Sequence, residues 1–222
     1  MIRGNLFRKG PLALVLPAAL LAAMLVPAGA NGAVLSSSGG VLTYIADQGE
    51  RNDVLISTDS LLAGMVPVYT FRDADANPIT IGIGNCQLIN GVGVCSQAGI
   101  SNFFVDARDR DDTVQVASAG AGGSAPPSIG AAMIGGRGVD VLLGGLGGDI
   151  LKGNDSRDSL RGRQGADVYK GGRGTDNLQT LDGQRDLFIS CGDGSRDVVR
   201  KDRIDPRAHH CEFSNHGNPS KP

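Results

Sequence analysis

The sequence predicts an all-β protein, and three observations carry that prediction. No stretch holds a 3.6-residue apolar period over eleven residues or more. Short runs rich in Val, Ile, Thr, Tyr and Phe recur between turn residues instead. Glycine supplies 34 of the 222 residues, about twice its usual share, and thirteen of those lie between positions 135 and 174 in phase with aspartates nine residues apart. Collagen is excluded, because it needs glycine at every third position and abundant proline, whereas only ten prolines are present. A hydrophobic content of 41% is enough for a core.

Residues 1–30 read as a secretory signal. Arg3, Arg8 and Lys9 precede an apolar run from position 11 to 26, and Ala28-Gly29-Ala30 supplies the small-residue cleavage pattern, with cut after Ala30. The run is short for a membrane span, which takes about 20 residues, and no second such run follows. The mature chain is therefore expected outside the cell, with no membrane attachment after cleavage. Removing the three basic residues of the leader leaves 18 of 21 against 23 acidic ones, a net charge of −5. Such a surface is a poor partner for phosphate, so nucleic acid is excluded.

Residues 31–116 are expected to form an irregular β-rich region, with strands over 41–45, 54–56, 66–71, 79–83, 103–105 and 113–116. Asn90-Gly91 is a strong two-residue hairpin signal. Around it Ile89 faces Val92, Gln87 faces Val94 and Cys86 faces Cys95. Counting outward places the cysteines on a non-hydrogen-bonded pair, whose Cα atoms approach to about 4.5 Å, within disulfide reach. Cys191 is left to pair with Cys211. Each bond is expected to stabilise an exported chain by about 2–4 kcal/mol. No two cysteines have zinc-finger spacing.

Residues 117–134 read as an Ala/Gly/Ser/Pro spacer. Residues 135–179 then divide into five nine-residue units without a gap: GGRGVDVLL, GGLGGDILK, GNDSRDSLR, GRQGADVYK and GGRGTDNLQ. The first position is always glycine and the sixth always aspartate: Asp140, Asp149, Asp158, Asp167 and Asp176. The eighth is Leu142, Leu151, Leu160, Tyr169 or Leu178. Glycines permit tight turns that bring carbonyls together. The aspartate adds a hard anionic oxygen of the kind calcium prefers. The eighth residue points inward from a short strand. If one unit is half a coil, Asp140, Asp158 and Asp176 form one row, and Asp149 with Asp167 forms the other. Stacked carboxylates repel unless a cation sits between them, so calcium binding is expected to be coupled to folding.

These units resemble the haemolysin-type, or repeats-in-toxin (RTX), calcium-binding nonapeptide GGxGxDxUx. The resemblance implies a right-handed parallel β-roll, a β-solenoid, in which calcium lies between the glycine loops of stacked turns. It also implies metal ligands at Asp140, Asp149, Asp158, Asp167 and Asp176, with carbonyls from loops containing Gly136 and Gly138, Gly145 and Gly147, and Gly172 and Gly174. The order of parts is similar to small exported bacterial proteins of this type: a Gly-Gly-Val-Leu-Thr-Tyr start, a cysteine hairpin, the repeats and a Cys-Gly-Asp-Gly…Cys-Glu ending. Five units give three same-side neighbours, hence about three sites. Asn154 and Arg163 replace the second glycine, Arg157 sits where a small or acidic residue is usual, and Lys152, Arg161 and Lys170 hold the ninth position. These cations are expected to weaken local affinity.

After Gln179 the nine-residue phase slips. Residues 180–212 read as an acidic cap closed by the second disulfide, and 213–222 as a flexible tail. Asp182, Asp186, Asp193, Asp197, Asp202 and Asp205 there, and Asp109–Asp112 upstream, are expected to be solvated turns. A search for catalytic motifs finds no His-Glu-x-x-His, no Gly-x-Ser-x-Gly and no phosphate loop. The three histidines cluster at the end. The expectation is a secreted calcium-binding protein that is not an enzyme, with a structural or partner-binding role, its protein or glycan partner not legible. The alternative is a secreted β-helix hydrolase acting on polysaccharide.

Overall fold

The computed structural model describes residues 32–61, 66–74, 79–117 and 127–216. The leader expected at residues 1–30 lies outside them. The first part supplies β1 (Val34–Ser38), β2 (Val41–Ile45), β3 (Asp53–Leu61), β4 (Val66–Asp73) and β5 (Thr80–Ile81). It continues through β6 (Cys86–Ile89), β7 (Val92–Ser96), β8 (Asn102–Asp106) and β9 (Thr113–Val116). The repeats supply β10 (Gly130–Arg137), β11 (Val141–Leu143), β12 (Ile150–Asp155), β13 (Ser159–Arg161), β14 (Val168–Gly174) and β15 (Asn177–Thr180). The end adds β16 (Phe188–Gly194), β17 (Val198–Lys201) and β18 (Phe213–His216). No described residue is helical.

From β10 to β17 the chain alternates between two sheets. One sheet is ordered β16-β14-β12-β10-β8-β2-β1-β5, the other β18-β17-β15-β13-β11-β9-β3-β4-β7-β6. Pairing within the repeats is parallel and steps by 18 residues: Leu142 faces Leu160, which faces Leu178, and Leu151 faces Tyr169. Short strands with one central apolar residue suit this arrangement, because period-two alternation turns that residue inward. The inward rows are Tyr44, Val105, Met133, Leu151, Tyr169 and Ile189 on one sheet, and Val54, Val114, Leu142, Leu160, Leu178 and Val199 on the other. All twelve are fully buried in one continuous core.

Three expectations are corrected. The N-terminal region is not irregular, since β2 and β8 extend one repeat sheet and β3 and β9 the other, in parallel register. Its antiparallel hairpins β1–β2, β3–β4 and β6–β7 interrupt the nine-residue period without changing the strand pairing. The spacer is shorter than expected: β10 starts at Gly130, and Ala131 and Met133 join the core. Nor is 213–222 wholly a tail, because β18 pairs with β17. Glu212, next to the Cys191–Cys211 bond, accepts the Asp197 N–H at 2.7 Å and anchors that strand. Cys86 and Cys95 face each other across the hairpin with a Cα separation of 4.1 Å.

Candidate metal sites in two columns of loops

Each unit enters its inner strand through aspartate-x-apolar, so the aspartate sits where loop becomes strand. Residues 107–112, 135–140, 153–158, 171–176 and 191–197 form a first column of loops. One carboxylate oxygen of each aspartate accepts the backbone N–H one step earlier. Asn52 donates to Asp112 at 2.7 Å, Asp112 to Asp140, Asp140 to Asp158 and Asp158 to Asp176 at 2.9 Å, and Asp176 to Asp197 at 2.7 Å. Residues 144–149, 162–167, 180–186 and 201–205 form a second column. There Ala131 donates to Asp149 at 2.7 Å, Asp149 to Asp167 at 2.8 Å, Asp167 to Asp186 at 3.0 Å and Asp186 to Asp205 at 3.1 Å.

The second carboxylate oxygen separates the first column from the repeat aspartates of the second, although farther along the second column Oδ2 of Asp182 and Asp186 and Oδ1 of Asp202 are again buried without a partner. In the first, Oδ2 of Asp112, Asp140, Asp158, Asp176 and Asp197 is buried without a hydrogen-bond partner, and these residues are at most 1% exposed. A buried carboxylate oxygen with no partner is costly. Oδ2 of Asp140, Asp158 and Asp176 faces the first glycine of its own unit, where any Cβ would collide with it. The loops stack so closely that a Cβ on Gly136, Gly172 or Gly192 would strike the carbonyl of Arg108, Asn154 or Gly172. A Cβ on Gly138 or Gly174 would likewise strike Arg110 or Ser156. Gly172 and Gly174 also hold φ of 128° and 143°, where side chains are strained.

The second column satisfies its repeat aspartates internally. Asp149 Oδ2 accepts the Gly145 N–H at 2.7 Å, and Asp167 Oδ2 accepts the Tyr169 hydroxyl at 3.3 Å. That hydroxyl accepts the Gly162 N–H at 3.0 Å. Gly147 packs against the backbone at Ile129–Gly130. Arg163, at φ 69°, turns inward and donates Nη1 to the carbonyls of Gly144 at 2.8 Å and Val116 at 2.6 Å. Arg157, Arg161 and Lys170 are exposed. Of the cations in the repeats, Arg163 is the one that reaches loop carbonyls.

Burial raises the carboxyls of Asp112, Asp140, Asp158, Asp176 and Asp197 in the first column and of Asp149, Asp167 and Asp186 in the second. Asp140 and Asp176 are pushed up to about 6 and Asp158 to about 7, each partly offset by the N–H it accepts. For Asp158 the neighbouring charges of Asp140 and Asp176 push further upward. Asp112 and Asp167 reach about 7, Asp149 about 6 and Asp186 about 8, again mainly through burial. Among the described residues, no three carboxylate, imidazole or thiolate side chains converge on one point. A cation between loops could draw on one carboxylate row and on stacked carbonyls, an all-oxygen set of the kind calcium prefers.

Asp112, Asp186, Asp197, Asp202 and Asp205, expected in solvated turns, are instead buried. The signal that finds most of them is the aspartate-x-apolar triplet rather than the nine-residue count: Asp112-Thr-Val and Asp197-Val-Val match Asp158-Ser-Leu. Residues 107–115 are a full unit with Arg108 and Arg110 at the glycine positions, at φ 71° and 83°. Asp109 in that loop pairs with Arg137 as a parallel bridge. Residues 191–200 are a unit with one extra residue before the aspartate.

Fold and loops together define repeats of parallel strands joined by stacked, glycine-lined loops with carbonyl and carboxylate oxygens on them. Residues 133–151 and 143–178 match the family model of the RTX calcium-binding nonapeptide repeat, which spans four copies. Residues 133–178 are therefore similar to RTX calcium-binding nonapeptide repeats, and calcium is the ion such repeats bind. Neither a curated protein nor a solved structure shows significant similarity to the chain.

Proposed function

We propose that this is a secreted calcium-binding protein in which calcium orders the stacked loops into a right-handed β-roll, giving a stable surface for a structural or partner-binding role. The observation that carries the reading is the row of buried, unpartnered carboxylate oxygens on Asp140, Asp158 and Asp176 beside closely stacked loop carbonyls. Those aspartates, with carbonyls of the loops holding Gly136, Gly138, Gly172 and Gly174, would hold the ion. Calcium supplies the positive charge that lets adjacent carboxylates ionise together. Asp149 and Asp167, with the Gly145–Gly147 loop, are the weaker set, because Arg163, Gly145 and Tyr169 already satisfy their surroundings.

Secretion is supported by the basic-apolar-small pattern of residues 1–30 and by two disulfides, which suit an oxidising compartment. A binding rather than catalytic role is supported by Asp112. Its carboxylate is held by Asn52 in the same ladder as the repeat aspartates. Calcium titration of the full mature chain tests the reading. Far-ultraviolet circular dichroism and melting temperature should rise together with calcium and fall with chelator. A protein whose melting is indifferent to calcium would refute it.

A further inference from the structure

We propose that a further calcium site lies between residues 171–176 and 191–197, beyond the matched nonapeptides and closed by the Cys191–Cys211 disulfide. The inference rests on the calcium reading of the repeats and extends it to a loop that the repeat pattern does not include. Gly172 faces Gly192, Arg173 faces Asp193 and Gly174 faces Gly194 in parallel register. A Cβ on Gly192 would collide with the Gly172 carbonyl and one on Gly194 with the Gly174 carbonyl. These are the same approaches that Gly172 and Gly174 make to Asn154 and Ser156 inside the repeats.

The carboxylates repeat as well. Asp197 Oδ1 accepts the Asp176 N–H at 2.7 Å, as Asp176 Oδ1 accepts that of Asp158 at 2.9 Å. Asp197 is fully buried, and Oδ2 of both Asp176 and Asp197 has no hydrogen-bond partner. The extra residue, Arg196, bulges outward at φ 71° and is exposed, so its charge faces solvent. The opposite end of the column differs, because the 107–112 loop carries Arg108 and Arg110 where these loops carry glycine. Glu212 accepts the Asp197 N–H and ends the row, and Cys211 beside it is bonded to Cys191 at the start of the loop. The disulfide thus fixes both the loop and its terminal acceptor.

The test is calcium stoichiometry by equilibrium dialysis on the full mature chain and on Asp197→Asn. The amide keeps an acceptor for the Asp176 N–H while removing the anionic oxygen. One calcium fewer than wild type is expected; an unchanged number overturns the proposal while leaving the repeat sites standing. Wild-type protein that binds no calcium overturns this proposal and the calcium reading together. Should Asp197→Asn fail to fold, hydrogen exchange of the wild type with calcium against chelator decides. Added protection should include residues 192–197, and protection that stops at the end of the repeats overturns the proposal.

Discussion

Replacing Asp158 with asparagine should shift stability in opposite directions with and without calcium. The carboxyl is held at about 7 by burial and by Asp140 and Asp176. Ionising it at pH 8 costs the fold at most about 4 kcal/mol, at 1.36 kcal/mol for each of about three pH units above its ordinary value. The amide brings a donor that needs its own partner, a cost of about 1–3 kcal/mol. In chelator the variant should therefore gain about 1–3 kcal/mol, or roughly 2–4 °C in Tm per kcal/mol. With about 10 mM calcium the balance reverses. Asp158 adjoins two inter-loop spaces, and a site with Kd of 10⁻⁴–10⁻³ M contributes about 1.4–2.7 kcal/mol at that concentration. Losing both costs about 3–5 kcal/mol. Thermal unfolding at pH 8, followed by circular dichroism in chelator and in calcium, reads both arms. An equal drop in Tm in the two buffers refutes the reasoning.

Metal-free protein should lose stability between pH 5 and 8, because Asp140, Asp158 and Asp176 titrate near 6–7 when folded and lower when unfolded. Their contribution is complete below the unfolded value and is lost as pH rises through the folded one; calcium should flatten that slope, and a Tm that climbs with pH in chelator contradicts it. Arg163→Gly frees the carbonyls of Gly144 and Val116 and removes a positive-φ side chain. It should lower metal-free stability by about 1–3 kcal/mol and add one bound calcium in dialysis. Leu160→Ala empties the middle of the row Leu142, Leu160, Leu178 and should cost about 2–5 kcal/mol in urea unfolding; a smaller loss means that the sheets close over the gap.

The repeats were legible because three coupled positions hold one phase across residues 135–179. The rest of the column was not, because loops vary in length while strand register does not. The ladder steps 18 residues from Asp140 to Asp158 but 21 from Asp176 to Asp197, 19 from Asp167 to Asp186 and 28 from Asp112 to Asp140. Two of the three extra residues precede Phe188 and Arg196 takes up the third as a bulge, so Asn177 still meets Val198. The hairpin at Asn90-Gly91 was legible to the exact pairs because the turn itself fixes register. The role of Arg163 was not, since sequence alone does not distinguish it from Arg157 or Arg161, which face solvent.

The two aspartate ladders also set the length increment by which such a chain can change. Removing residues 144–161 joins Leu143 to Gly162, which stands where Gly144 stood in the second column, so both ladders and both sheets close up in register. Removing nine residues instead, 144–152 for example, sends every later strand to the opposite sheet, so that Asp158, Asp176 and Asp197 keep one another but no longer continue the row of Asp112 and Asp140. Growth and loss by pairs of units conserve the join between the N-terminal sheets and the disulfide-closed end; growth by single units keeps the downstream pairs but transposes the two sheets across that join.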